Sequence, residues 1–341
     1  SLHDALPICL AARRRGKKKS GRSYAWRYRG RIVACVFVEV IIICALVIMI
    51  GWNKGVKEWF EQFEQPVLKE VDISGINSPN AILMQARGGK ILGEINGEAQ
   101  IYPASMTKIM TVILGIENFD DLDEKITLTN EMFSGLYEQD ATQAGFQPGE
   151  EVRVIDLLYG AMLPSGAECC IALADTISGS EADFAELMNK KAGKLGMENT
   201  HFCDSTGLHN PDHYSTVKDI AVLMKYCIKN DTFREIVETS RHSTGVTNIH
   251  PDGITYYSTM FKNLSDPTVT GGKILGGKTG YTSEAGHCLV SFAEIEGREY
   301  IFVSAGASGA DGNTIPHIQD AVTVYNRVGA AIEEKMNDNN K

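Results

Sequence analysis

At 341 residues, 43% hydrophobic and 22% charged, the chain has the composition of an ordinary folding protein with material for a sizeable core. Its charge is unevenly placed: residues 1–31 hold ten Lys/Arg against Asp4, a net of +9, and since the whole chain carries −10 the remainder carries −19. An acidic remainder of that size argues against nucleic-acid binding by the main domain.

In chain order, residues 1–10 read as no targeting segment and are expected to be a sequence scar without structure. Residues 1–31 as a whole form a basic leader expected to stay in the cytoplasm. Residues 32–52 are apolar except for Glu39, and their length suits a membrane-spanning helix. Glu39 would cost about 2.5–3.5 kcal/mol at mid-bilayer, which the run of Ile, Val and Leu offsets. No small-x-small cleavage site follows Gly51, so an uncleaved anchor is expected, with everything after Trp52 on the extracytoplasmic side. Residues 53–78 read as a helical or irregular stalk, 79–336 as the main domain and 337–341 as a tail.

Within the main domain, 81–85 and 90–95 read as strands joined by Arg87-Gly-Gly, a hairpin signal, and Asn96-Gly97 makes a further turn. The apolar residues Ile109, Met110, Ile113 and Leu114 recur at helical spacing after Ser105, the expected N-terminal residue of a helix with one face in the core. From 120 to 230 the chain reads as mostly helical, with helices over 154–163, 167–178, 181–195 and 217–228. After 255 the pattern returns to strands, over 274–279, 288–294 and 300–305, and 315–336 reads as a closing helix. Two strands, a helical block, three strands and a last helix imply an α+β fold: an antiparallel sheet carrying a helical insertion.

The five cysteines beyond the anchor, Cys169, Cys170, Cys203, Cys227 and Cys288, are odd in number and fit neither a disulfide framework nor a metal spacing. Most are expected to be buried small hydrophobes. His209 and His213 are four apart, like metal ligands, but Pro211 lies between them and no third ligand is evident, so no metal and no cofactor are expected.

Chemistry concentrates in three places. Ser105-Met-Thr-Lys108 puts a hydroxyl and an amine three residues apart, on one side of a helix. A serine is a poor nucleophile until a base takes its proton, and a desolvated lysine can be that base. A second copy, Ser215-Thr-Val-Lys218, reads as a helix cap followed by a solvated lysine. Leu163-Pro-Ser-Gly-Ala-Glu168 lies on a turn between two helices, where Ser165 is either a proton relay or a plain cap. Lys278-Thr-Gly280, inside Gly276-Gly-Lys-Thr-Gly-Tyr281, ends a strand whose glycines let a peptide-like ligand approach the backbone. A P-loop reading fails there, because the glycine spacing is incomplete and no helix follows.

These motifs, in this order, resemble those of the penicillin-recognising serine transferases. With Leu157-Leu-Tyr-Gly-Ala-Met-Leu-Pro-Ser-Gly166, His201-Phe-Cys-Asp-Ser-Thr-Gly-Leu-His209, His213-Tyr-Ser-Thr216 and Gly277-Lys-Thr-Gly-Tyr-Thr-Ser-Glu-Ala-Gly286, the chain resembles the D-alanyl-D-alanine carboxypeptidases, the low-molecular-weight penicillin-binding proteins, from about Pro79 to Ala307. The resemblance implies a β-lactamase/DD-peptidase-like fold. It also implies a peptidoglycan stem peptide ending in D-Ala-D-Ala as substrate and β-lactams as inhibitors. By the same resemblance Ser105 is the acyl-enzyme nucleophile, Lys108 its general base, and Ser165 an aid to proton transfer. Lys278, Thr279, Gly280 and Tyr281 would form the substrate-binding strand. Lys278 and Thr279 would hold the substrate carboxylate, and the N–H groups of Ser105 and Tyr281 would make the oxyanion hole.

Two departures stand out. The second motif of this family is usually Ser-Gly-Asn, and Ala167 stands where the Asn would be. Family members often carry a second β domain and a C-terminal amphipathic anchor; neither is expected after Met336, and the N-terminal helix is expected to do the anchoring. A β-lactamase reading lacks a Glu-x-x-Leu-Asn segment between Ser165 and Lys278. A Ser-His-Asp hydrolase lacks its nucleophile elbow, since Gly306-Ala-Ser-Gly-Ala310 misses the final glycine. A membrane-tethered, non-catalytic binder of cell-wall peptides is the main non-enzyme alternative, with Ala167 as its support.

Overall fold

The computed structural model describes residues 68–309 and 315–339, together with Val40, Ile41 and Ile43, which are helical and exposed. The chain divides into one unit over 1–64 and a second over 65–341. The basic leader and the rest of the expected membrane span lie outside the described residues. Among the described residues no helix is long and apolar enough to cross a membrane.

A six-stranded antiparallel sheet runs through the second unit in the order β2-β1-β10-β9-β8-β7. Its strands are β1 (Asn80–Gln85), β2 (Ile91–Ile95), β7 (Thr268–Val269), β8 (Gly272–Thr282), β9 (Gly286–Ile295) and β10 (Arg298–Ala307). The expected 81–85 and 90–95 hairpin is present, and the three later strands are each longer than their apolar cores. Alternation along the strands splits the sheet into two buried faces. Ile82, Val290, Phe292, Ile301 and Val303 pack into one core with the helical block. Leu83, Leu289, Ala293, Tyr300 and Phe302 pack into the other, against the last helix. Within the segment read as stalk, Leu68, Val71 and Ile73 are buried in this second core, and Val71 N–H donates to Leu92 O (2.7 Å), so this stretch is packed against the sheet.

The helices are α1 (Lys108–Asn118), α2 (Val154–Met162), α3 (Ala167–Ser178), α4 (Glu181–Leu195), α5 (Val217–Cys227), α6 (Asp231–Glu238), α7 (Thr259–Asn263) and α8 (Pro316–Asn339). Local chemistry fixes several starts: Ser180, Thr216 and Asn230 each accept a backbone N–H three residues on, satisfying one of the free donors of a first turn. In α8, Ile318, Ala321, Val324, Tyr325, Val328 and Ile332 form one stripe on the sheet. Each large apolar side chain buried there contributes about 1.5–3 kcal/mol.

α1 departs from the one-faced helix expected of it. Every residue from Lys108 to Gly115 is buried, because the helix packs against α2, α3 and α5 within the core they share with one face of the sheet. The stretch before α2 is also less helical than its pattern suggested. β3 (Lys125–Thr127) and β4 (Glu151–Arg153) pair there as a ribbon. Three residues are too few for a period to register, which equally hid β5 (Arg241–Ser243) and β6 (Thr255–Tyr257). Cys169, Cys170, Cys227 and Cys288 are buried free thiols and Cys203 is half-buried.

Candidate active site

The nucleophile candidate sits on a tighter turn than expected. Ala104–Thr107 is a 3₁₀ turn, and α1 begins at Lys108 rather than at Ser105. The turn is strained at its start: Ala104 has φ +47°, a region that costs a non-glycine residue about 1–3 kcal/mol. Residues 203–208 brace it from the side. Gly207 approaches so closely that a Cβ there would lie 1.9 Å from the Ala104 carbonyl oxygen, and its own φ is +79°.

Lys108 is buried, and its Nζ donates to Ser105 Oγ (3.1 Å) and to the Thr206 carbonyl (2.7 Å). Burial pulls its pKa below the usual lysine range, against smaller opposing effects from nearby acidic groups that include Asp204 and Glu168. An amine so placed is neutral more readily than a solvated one, and a neutral amine has the lone pair a base needs.

Ser165 lies on the turn between α2 and α3 and is the second strained residue of the site, with φ +72°. It is not the cap of α3, because Gly166 holds that place and makes no side-chain cap. Ser165 Oγ accepts from Lys278 Nζ (3.0 Å), and Lys278 also donates to the Thr279 carbonyl (2.8 Å). Burial, and then the charge of Lys108, holds the Lys278 pKa well below its usual range. The site thus contains two buried amines, each against a serine hydroxyl. Ala167 is the buried first residue of α3. The next side chain, Glu168, accepts from Ala144 N (2.6 Å) and Gly145 N (3.0 Å), tying the preceding loop to the Ser165 turn.

β8 supplies the other wall. A Cβ at Gly280 would lie 2.9 Å from Ser105 N and 3.1 Å from Ala104 Cβ, so the strand touches the nucleophile turn at this residue. Thr279 Oγ1 is 2.7 Å from Thr259 Oγ1, a partner with no sequence signal of its own. Tyr281 is exposed, with its ring 4.6 Å from that of His287, so a contribution from Tyr281 to the oxyanion hole would come from its backbone. The structure therefore brings Ser105, Lys108, Ser165, Lys278 and Gly280 together and leaves the Tyr281 ring outside.

The second Ser-x-x-Lys copy is elsewhere. Thr216 caps α5, Ser215 Oγ lies buried 2.8 Å from Thr200 Oγ1, and Lys218 pairs with Glu98. His209 and His213 separate: the His209 ring meets Tyr102 edge-on at 4.8 Å, while His213 is buried beside Asp204. Among the described residues no group of three His, Cys, Asp or Glu is placed to hold a metal ion. A cavity of about 450 Å³ between residues 75–77, 263–266 and α8 is lined by none of the three motifs, and its Asp320 carboxylate is taken up by Asn77 and Ser78.

Sequence reasoning missed Thr206, Asp204 and Thr259. The first acts through a backbone carbonyl, for which residue type gives no signal. Residues 201–209, quoted only for their resemblance, were the nearest available pointer.

The family described as D-alanyl-D-alanine carboxypeptidase matches residues 67–309. D-alanyl-D-alanine carboxypeptidase DacF of Bacillus subtilis is 35% identical over 231 residues, 67% of this chain and 57% of that protein. The D-alanyl-D-alanine carboxypeptidase of Streptomyces sp. strain K15 is 35% identical over 236 residues, 67% of this chain and 78% of that one. A crystal structure of the Streptomyces K15 DD-transpeptidase superimposes with a TM-score of 0.67 at 29% identity, covering 76% of this chain and 100% of that one. The chain spans less than two thirds of the length of the Bacillus relative.

Proposed function

Because the chain belongs to the D-alanyl-D-alanine carboxypeptidase family, we propose that it is a serine-type carboxypeptidase that removes the terminal D-alanine from peptidoglycan stem peptides and is acylated by β-lactams. The observation that carries this reading is the buried Lys108 amine, 3.1 Å from Ser105 Oγ and shifted toward its neutral form.

In this reading Lys108 Nζ takes the Ser105 proton as Oγ attacks the carbonyl carbon of the penultimate D-alanine. The new C–O bond gives a tetrahedral intermediate whose oxyanion meets the N–H groups of Ser105 and Tyr281. The intermediate collapses as the C–N bond breaks. The leaving D-alanine amine takes a proton passed from Lys108 through Ser165, whose hydroxyl Lys278 orients. Water then attacks the ester, its proton returns by way of Lys108 to Ser105 Oγ, and the shortened peptide leaves. Lys278 and Thr279 receive the substrate carboxylate at the edge of β8. A buried cation is a strong partner for a buried anion, and substrate entry would restore the Lys278 charge that burial disfavours.

We further propose that residues 32–52 anchor the protein in the cell membrane with the catalytic unit on the extracytoplasmic side. The support is the run of apolar residues and its basic flank.

A labelled penicillin and a D-alanine release assay on a peptide ending in D-Ala-D-Ala test the reading together. Ser105→Ala should abolish both signals. Release should be slow in the natural chain, since the amide usual at position 167 is missing, and Ala167→Asn should raise it. Labelling that persists in Ser105→Ala would place the nucleophile at another residue, and no release above that variant would favour a non-catalytic peptide binder.

A further inference from the structure

Behind Lys108 runs a chain of polar groups that begins and ends on the nucleophile turn. The Thr206 carbonyl that receives Lys108 Nζ belongs to a loop gathered around one carboxylate. Asp204 Oδ1 accepts from Thr206 N (2.7 Å), Thr206 Oγ1 (2.8 Å) and Gly207 N (2.6 Å). Asp204 Oδ2 lies 3.1 Å from His213 Nδ1. His213 is buried, and its Nε2 is 2.9 Å from Thr107 Oγ1, the residue just before Lys108. The loop is pinned to α1 once more, one turn on, where Thr111 Oγ1 donates to Ser205 O (2.6 Å). Burial by itself would raise the Asp204 pKa, but His213 and the Thr206 donors outweigh it and bring it down to about 2. Asp204 is therefore a fixed anion with four hydrogen-bonding partners.

This arrangement exceeds what holding a loop requires. A neutral lysine amine has two N–H groups and one lone pair on a flexible four-carbon stem, and it abstracts a proton only when the lone pair faces the hydroxyl. An acceptor fixed at 2.7 Å on the far side engages an N–H and turns the lone pair toward Ser105. We propose that Asp204 and His213 are a positioning pair for Lys108: they fix the Thr206 carbonyl, and through it the orientation of the amine. Neither touches the substrate. The inference rests on Lys108 being the general base.

The test uses the full chain and a fluorescent penicillin, separating the constant for initial binding from the rate constant for acylation. Asp204→Asn and His213→Ala should each slow acylation by about 10- to 100-fold, the range expected when a reacting group is held up to an ångström out of place. Initial binding should stay within about twofold. The double variant should be no slower than Asp204→Asn alone, because both act through one carbonyl. His213→Asn, whose amide N–H can reach the carboxylate as Nδ1 does, should regain part of the rate, and this arm decides the question if Asp204→Asn does not fold. Unchanged acylation in folded variants, a loss confined to initial binding, additive effects or no regain in His213→Asn would each overturn the proposal. If the natural chain is not acylated, or Ser105→Ala still is, the reading of Lys108 fails first and takes this inference with it.

Discussion

Gly280→Ala isolates the contact between β8 and the nucleophile turn. The added Cβ would lie 2.9 Å from Ser105 N, about 0.5 Å inside ordinary van der Waals contact, which begins at 3.4 Å. It would also meet Ala104 Cβ at 3.1 Å and the Pro103 carbonyl at 3.3 Å. These are mostly backbone atoms of a turn already strained at Ala104, so no flexible side chain can swing aside. The strand and the turn must part by a few tenths of an ångström. Overpacking of this size costs about 1–3 kcal/mol of stability. The larger effect should be on rate, because the displaced Ser105 N–H is one of the two proposed oxyanion donors, and losing such a donor costs about 10²–10³ in rate. A partial displacement should cost about 10- to 100-fold in penicillin acylation, measured as a second-order rate constant on protein shown by thermal melting to be folded. Gly277→Ala is the control: its Cβ would meet the Val290 carbonyl at 2.4 Å and Met260 Sδ at 2.8 Å, a clash within the sheet and its covering helix rather than at the turn. It should lower stability more than Gly280→Ala and slow acylation less in the molecules that remain folded. A Gly280→Ala protein acylated within about twofold of the natural rate would refute the claim that this contact sets the site.

Two further outcomes follow from the same structure. Thr216→Ala should cost about 1 kcal/mol through the lost cap to Asp219 N (3.0 Å), with penicillin labelling unchanged; altered labelling would mean that the second Ser-x-x-Lys copy takes part in the chemistry. His317, at the start of α8, is buried with its Nδ1 unpartnered among the described residues, and burial followed by the charge of His287 pushes its pKa from 6.5 down to about 3. The unfolded chain then binds the proton more readily than the folded one throughout that window. Stability should therefore fall as pH falls from about 6.5 toward 3, by up to about 1.4 kcal/mol per pH unit. His317→Leu should flatten the slope in urea unfolding across that range, and an unchanged slope would rule His317 out as its source.

What the sequence by itself determined is what is local. The 167–178 and 181–195 helices were legible to the residue because 3.6-residue apolar spacing and the glycines that stop them, Gly179 and Gly196, are written in the local sequence. The β1–β2 hairpin was legible from its glycine turn, and the three motifs from residue types a few positions apart. The candidate chemistry at Ser105, Lys108, Ser165 and Lys278 was readable for that reason, since each motif carries its own reactive group. Three-residue strands such as β3 and β4 were not legible, because they owe their conformation to each other rather than to a period. Only the tertiary structure decided how the groups are poised. Lys108 and Lys278 become depressed-pKa amines because packing removes water from both, and at Lys278 the charge of Lys108 adds to the effect, which no spacing encodes. The Ser165 backbone holds its strained turn between α2 and α3, which pack against each other. The Thr206 carbonyl reaches Lys108 across 98 residues of chain through a loop that Asp204 and His213 hold shut. A backbone oxygen is the same in every residue, so its role exists only where the fold places it.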